Sequence, residues 1–345
     1  MDDGRRGGGV PIRLGGRAPE RGRSCRRSLA GRDGWRNRAV RVQALGGDIA
    51  TKGGWGVTHT VPDNFLGLDG RYADYRRARF AVLPVPYDAT TSFGVGARDG
   101  PRAIITASQQ VELYDESLGR ESYAAGVATL PPLGVEAAGP EAMVAAVYAA
   151  ARRVVRDGKF LIGLGGEHSI TSGLVRAVRG RHKGVSVLQI DAHADLRDEY
   201  QGTPWSHAAV MRRIHDLGVP AVGVGIRNYS RDEARFIRSV HKPIFSATAC
   251  RSGRAWLSDV LAHLTDEVYV TVDIDGFDPA CAPATGTPEP GGLDWWQVTD
   301  LLAAVAKTRR IVAADVVEVR PIPPNTVTEF LAAKLLYRLI GLVSR

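Results

Sequence analysis

Cysteine is scarce in this sequence: Cys25, Cys250 and Cys281 are the only three among 345 residues, an odd number with no two close together. That argues against a disulfide framework and fits a reducing compartment, so a cytoplasmic location is expected. Cys281 reads as a small buried or loop residue before it reads as a reactive thiol. Long apolar runs are missing too. No stretch approaches the length of a membrane span, and no secretory hydrophobic segment follows the basic start, so no membrane association is expected. Neither a repeat nor an internal linker is visible.

What is present begins with an uneven charge. The formal net charge is +8, which spread over a folded surface would suggest a nucleic-acid partner. It is not spread. Residues 1–42 hold twelve Arg and four acidic residues, and the other 33 basic residues are matched by 33 acidic ones. The body is therefore neutral, and no nucleic-acid partner is expected. The Arg- and Gly-rich start has almost no apolar periodicity and cannot offset its chain entropy by burial. Residues 1–60 are read as a disordered extension and residues 61–345 as the folded domain. An over-extended start would look the same, and an organellar transit peptide is a further reading, although serine is scarce there.

From about residue 78 short apolar runs alternate with longer segments of helical period, the pattern of a parallel sheet covered on both faces. The expected strands are Phe80–Val85, Phe160–Leu164, Val185–Ile190, Ala221–Ile226, Val268–Val272 and Ile311–Val317. Between them, Pro101 suits a first helical turn, and Glu141–Arg156 reads as an amphipathic helix closed by Gly158. Ser230 reads as the cap of Arg231–Val240, and Thr328 with Glu329 as the opening of a last helix towards Ile340. Polar clusters follow three of the strands, where open parallel sheets gather their functional groups.

Those clusters are His168, then Asp191, His193 and Asp195, then Asp273 and Asp275. Alternate residues of an extended segment share a face, so the spacing lets each set converge. A lone Asp-x-His is an ordinary turn, and an Asp after a strand is an ordinary helix cap. Three such strand ends together point to a metal site. Two imidazoles and four carboxylates, with no thiolate, suit Mn²⁺ or a similar divalent ion better than structural zinc. Four carboxylates repel one another without cations, and six donors exceed what one catalytic ion with an open position needs. Two ions roughly 3.5–4 Å apart satisfy both constraints.

Gly165-Gly166-Glu167-His168-Ser169, Asp191-Ala192-His193-Ala194-Asp195 and Asp273-Ile274-Asp275-Gly276-Phe277-Asp278-Pro279, followed by Thr285-Gly286-Thr287-Pro288 and Gly291-Gly292, resemble the signatures of the ureohydrolase (arginase/agmatinase) family, in its order. Leu83-Pro84-Val85-Pro86-Tyr87 resembles the family's first strand, and the match extends to about Ile340. The resemblance implies a three-layer α/β/α fold with a mostly parallel sheet. It also implies two Mn²⁺ ions per subunit, with Ni²⁺ as the alternative, and hydrolysis by a hydroxide held between them. Carried over, His168, Asp191, Asp195 and Asp273 hold one ion, and Asp191, His193, Asp273 and Asp275 the other, with Asp191 and Asp273 bridging. Asp195 would pass a proton to the leaving amine. His207 resembles a loop histidine that shuttles protons, though a lone His also suits a helix start. Glu318 resembles the carboxylate that meets the substrate guanidinium, with an ion pair to Arg320 as its plainer reading. Thr285 and Thr287 would face the guanidino nitrogens, or simply form a turn. The family also implies a homo-trimer or homo-hexamer.

Leu196-Arg197-Asp198-Glu199-Tyr200 and Asp99-Gly100-Pro101-Arg102 look more like agmatinases than arginases. Agmatine, yielding putrescine and urea, is therefore the expected substrate. Guanidinobutyrate, guanidinopropionate, guanidine and arginine are the alternatives, and a non-catalytic scaffold is the reading from outside enzymology. The metallophosphoesterases also carry Asp-x-His, but in another motif order.

Overall fold

A strand that buries side chains on both sides needs cover on both faces, and the strands here meet that need in layers. A computed structural model describes residues 61–344. The expectations for residues 1–60, Cys25 among them, lie outside the described residues. The strands are β1 (Phe80–Val85), β2 (Val127–Thr129), β3 (Phe160–Gly165), β4 (Ser186–Ile190), β5 (Ala221–Ile226), β6 (Ile244–Ser246), β7 (Glu267–Asp273) and β8 (Arg310–Val317). They form one eight-stranded sheet in the order β2-β1-β3-β8-β7-β4-β5-β6, and every pairing is parallel. The six expected strands are all present, and the edge strands β2 and β6 are additions. Each has only three residues, too few for a period to show.

Period-two alternation divides the core between the faces. Phe80, Val82, Ile162, Val270 and Val316 pack on one side with Ile104, Leu301 and Leu336. Ala81, Leu83, Leu161, Val187 and Tyr269 pack on the other with Met143, Leu174 and Ile214. The helices responsible include Gly100–Ser108 and Val327–Val343 on the first face, and Pro140–Arg156 and Thr171–Arg181 on the second. Burying one such Leu or Ile contributes about 1.5–3 kcal/mol, so both layers are strongly held.

Helix ends follow local chemistry. Ser230 and Glu233 form a capping box at Arg231–Ser239. Gly158 closes Pro140–Arg156 with a φ of 76°, where a side chain would be strained. The last helix opens at Val327, one residue before the expected Thr328, and the Thr328 hydroxyl accepts the Ala284 N–H at 2.9 Å.

Candidate metal centre

The carboxyl ends of β3, β4, β7 and β8 lie side by side in the sheet order, so the residues just beyond these strands meet at one edge. After β3 the chain bends tightly against Tyr87, and a Cβ on Gly166 would collide with the Tyr87 carbonyl. The Glu167 N–H donates to that carbonyl at 2.7 Å, which fixes the start of the His168 turn.

The donors do converge, but not by strand alternation as expected. β4 ends at Ile190 and β7 at Asp273. Asp275 sits in a 3₁₀ turn, Ile274–Gly276, with the Asp273 carboxylate accepting its N–H at 3.0 Å. Asp195 has a φ of 52°, outside the extended region. Once strand pairing stops, the freed backbone N–H groups need acceptors, and aspartate side chains supply them in turns. His193 N–H likewise donates to Asp191 at 2.6 Å, and Ala192 N–H to Asp275 at 3.0 Å.

Two donor groups result: His168, Asp191 and Asp273, and Asp191, His193 and Asp275. Asp191 is common to both, which makes the centre binuclear in form; Asp273 joins the first group only. His168 Nδ1 lies 3.3 Å from Asp191, 3.0 Å from Asp195 and 3.4 Å from Asp273. His193 Nδ1 lies 2.9 Å from Asp275 and 3.8 Å from Asp191. Burial, then the charge of Asp195, pushes Asp191 up to about 7. Burial and the Asp275 and Asp191 charges raise Asp273 well above the usual carboxylate range. Burial opposes charge on His193, yet its contact with Asp275 and the surrounding carboxylates push it up to about 11. These groups take up protons because carboxylates this close demand positive charge.

Divalent cations meet that demand better. His168 Nδ1 is fully buried among three carboxylates without a hydrogen-bond partner. An orphaned imidazole nitrogen facing oxygen donors fits a borderline divalent ion.

Above the donors opens a cavity of about 210 Å³, lined by Asp195, His207, Thr287 and Glu318 among others. His207 sits at the start of a short helical turn, and its Nδ1 lies 3.2 Å from the Thr90 hydroxyl. Burial holds the His207 pKa below its ordinary value. Glu318 has a φ of 62°, and its carboxylate accepts the His168 N–H at 2.7 Å. Burial, then the neighbouring Glu167 charge, raises Glu318 to about 8. It makes no ion pair with Arg320, whose Nε donates to the Val95 carbonyl at 2.8 Å. Thr287 donates to Asp275 at 3.3 Å. Thr285 is buried with its hydroxyl unpartnered and does not line the cavity.

Sequence reasoning passed over Thr90, Arg227, Asn228 and Glu289. Thr90 links His207 to the buried Glu167, donating to it at 2.6 Å. The Asn228 amide donates to Glu289 at 2.5 Å, and Glu289 lies 3.9 Å from His193 Nε2. Arg227 and Asn228 directly follow β5, and position beyond a strand end was the signal available for them.

Comparison with known proteins agrees with this architecture. The Arginase family model matches residues 78–341. The chain is 40% identical over 287 residues to the N(1)-aminopropylagmatine ureohydrolase of Synechocystis sp., covering 81% of this chain and 94% of that protein. It is 34% identical over 287 residues to the agmatinase of Pyrococcus horikoshii, covering 79% and 94% respectively. The crystal structure of the agmatine ureohydrolase of Thermoplasma volcanium superposes with a TM-score of 0.74 at 35% identity, covering 82% of this chain and 94% of that one. The chain belongs to the arginase family. It is a hydrolase of the ureohydrolase type, acting on a guanidino or amidine substrate through a binuclear metal site. Among the described residues no helix is long and apolar enough to cross a membrane.

Proposed function

We propose that this chain hydrolyses the guanidino end of N(1)-aminopropylagmatine to give urea and spermidine, with agmatine, yielding putrescine, as its second substrate. The longer amine is preferred to the sequence-based expectation of agmatine because relatives of that name reach 40% identity against 34% for the Pyrococcus agmatinase. The observation that carries an amine substrate is the cavity wall. Arg197 is the one Arg or Lys among its described lining residues. It stacks over Tyr200 at 4.8 Å and lies 3.9 Å from Glu233. A cation already paired with a carboxylate makes a poor clamp for a substrate carboxylate, which disfavours arginine and guanidinobutyrate.

In this reading His168, Asp191, His193, Asp195, Asp273 and Asp275 hold two Mn²⁺ ions, with Ni²⁺ as the alternative. Bound ions there would polarise the substrate and activate water near neutral pH. Glu318 meets the planar guanidinium, and Thr287 borders it. The leaving amine needs a proton; in this reading Asp195 delivers one and His207 exchanges it with solvent. The domain spans residues 61–345, and a cytoplasmic trimer or hexamer completes the proposal.

Urea release from N(1)-aminopropylagmatine, agmatine, 4-guanidinobutyrate, arginine and guanidine, each with Mn²⁺ or Ni²⁺, tests it. The expected result is a kcat/KM for the aminopropyl compound at least about tenfold above the others, the scale of one well-placed contact. A preference for any carboxylate-bearing substrate, or no urea from any, overturns it.

A further inference from the structure

One guanidinium holds three parts of the site together. Arg227 follows β5, and its Nη2 donates to the carbonyls of Asp275 at 2.7 Å, Glu289 at 2.6 Å and Phe277 at 3.3 Å. Its Nη1 donates to Gly225 at 3.1 Å and Gly276 at 3.4 Å, and its Nε to Pro290 at 3.1 Å. Arginine has five N–H donors in a rigid plane, and here all three nitrogens are engaged with main-chain oxygens. No carboxylate pairs with it among the described residues.

The acceptors are not scattered. Asp275, Gly276 and Phe277 form the turn that carries a donor of the second group, and Glu289 and Pro290 belong to the loop that carries Thr287. The main chain at Arg227 completes the frame: the N–H groups of Arg227 and Asn228 donate to Ala192 at 2.8 and 3.0 Å, and Ala194 N–H donates to Asn228 at 3.3 Å. His193, between those two alanines, is thereby held from β5 as well. The Asp191–Asp195 loop is tied to this strand end by its backbone, and the Asp275 turn is tied to it by a side chain.

We propose that Arg227 is the positioning residue of the second donor group, setting the Asp275 turn and the Thr287 loop against His193 so that one of the two ions binds tightly. The first group depends on it less, because His168 and Asp273 are placed by β3 and by the last residue of β7. This inference rests on the two-ion reading above.

The test uses the full chain and Mn²⁺ at buffered free concentrations, with bound metal counted by elemental analysis and urea release followed in parallel. Arg227→Met should keep one tight ion and bind the second at least about tenfold more weakly, the usual effect of losing an outer support. Activity should return as free Mn²⁺ is raised. Arg227→Lys should behave in the same way, because a point charge on a flexible stem cannot serve six carbonyls; it also serves if the Met variant fails to fold. Arg309→Met is the control. Arg309 also donates to main-chain carbonyls, those of Leu261, Leu264 and Thr308, but at the opposite end of the strands. It should lower the melting temperature and leave both affinities unchanged. Wild-type affinity for both ions in the Arg227 variants overturns the inference while the two-ion reading stands. Equal weakening of both ions also overturns it, and failure of the wild-type chain to bind two ions removes both.

Discussion

The Thr271 hydroxyl stands 2.9 Å from His168 Nε2 and gives its own proton to the buried Asp315 at 2.6 Å. Asp315 also receives the hydroxyls of Tyr269, at 2.5 Å, and Thr171, at 2.8 Å, so it acts as an acceptor throughout. A hydroxyl whose only proton is committed can offer His168 nothing but a lone pair. Nε2 must then carry a hydrogen, which leaves Nδ1, the nitrogen that faces the carboxylates, as the one that would bind a cation. Room for Asp315 comes from Gly163 on the adjacent strand, whose added Cβ would lie 2.9 Å from the Asp315 Cβ.

The first prediction rests on that relay. Thr271→Val should weaken metal binding about 10–100-fold, as loss of an outer partner does, with the fold intact. Thr271→Ser should stay near the wild type. Equilibrium dialysis against buffered Mn²⁺ measures both.

Asp191 belongs to both donor groups, so Asp191→Asn should empty both and abolish urea release. Metal removal from the wild type should also lower stability. Ligand binding contributes about 2.7 kcal/mol at a hundredfold excess over Kd. Elemental analysis, and melting curves with and without chelator, would show it; two ions retained in the variant would refute the assignment.

Thr90 should set the tautomer of His207. Its proton goes to Glu167, and the His207 main-chain N–H already donates to it at 3.1 Å, so Nδ1 is expected to be the protonated nitrogen. Thr90→Val should reduce kcat about 10–100-fold with little change in KM, and Thr90→Ser should restore most of it. Because burial holds the His207 pKa down, the wild type should keep a neutral imidazole through neutral pH and lose activity only in acid. Steady-state kinetics across pH and long-range nitrogen–proton NMR of His207 are the measurements.

Lys242 is buried with no ion pair or hydrogen bond to its amine among the described residues, and burial pulls its pKa from 10.5 to about 8. Above 10.5 the amine is neutral in both states. Between about 8 and 10.5 only the unfolded chain takes up a proton, and below about 8 the folded chain bears the full penalty. Stability should thus rise with pH through that window, by up to about 3 kcal/mol. Lys242→Met should flatten the rise and stabilise the protein near neutral pH, as denaturant titrations at several pH values would show; a destabilised variant would contradict this.

The alternation of strand and helix was legible in the sequence because two-sided burial writes itself as apolar runs such as Phe80–Val85 and Ala221–Ile226. The donors were legible too, since His168, Asp191 and Asp273 each stand at or just beyond a strand end. The mode of convergence was not. Asp195 in a left-handed conformation and Asp275 in a 3₁₀ turn obey the needs of unpaired backbone, and spacing does not encode those needs.

The sequence by itself determined the layers, the strand ends and the kinds of donor they carry, because these depend on local period and residue chemistry. Only the tertiary structure decided that β8 lies between β3 and β7, bringing Asp315 and Glu318 to His168, and that β5 sends Arg227 across to the Asp275 turn. Those contacts join residues from about 50 to 150 positions apart, and their partners are chosen by strand order and by backbone carbonyls that every residue carries alike.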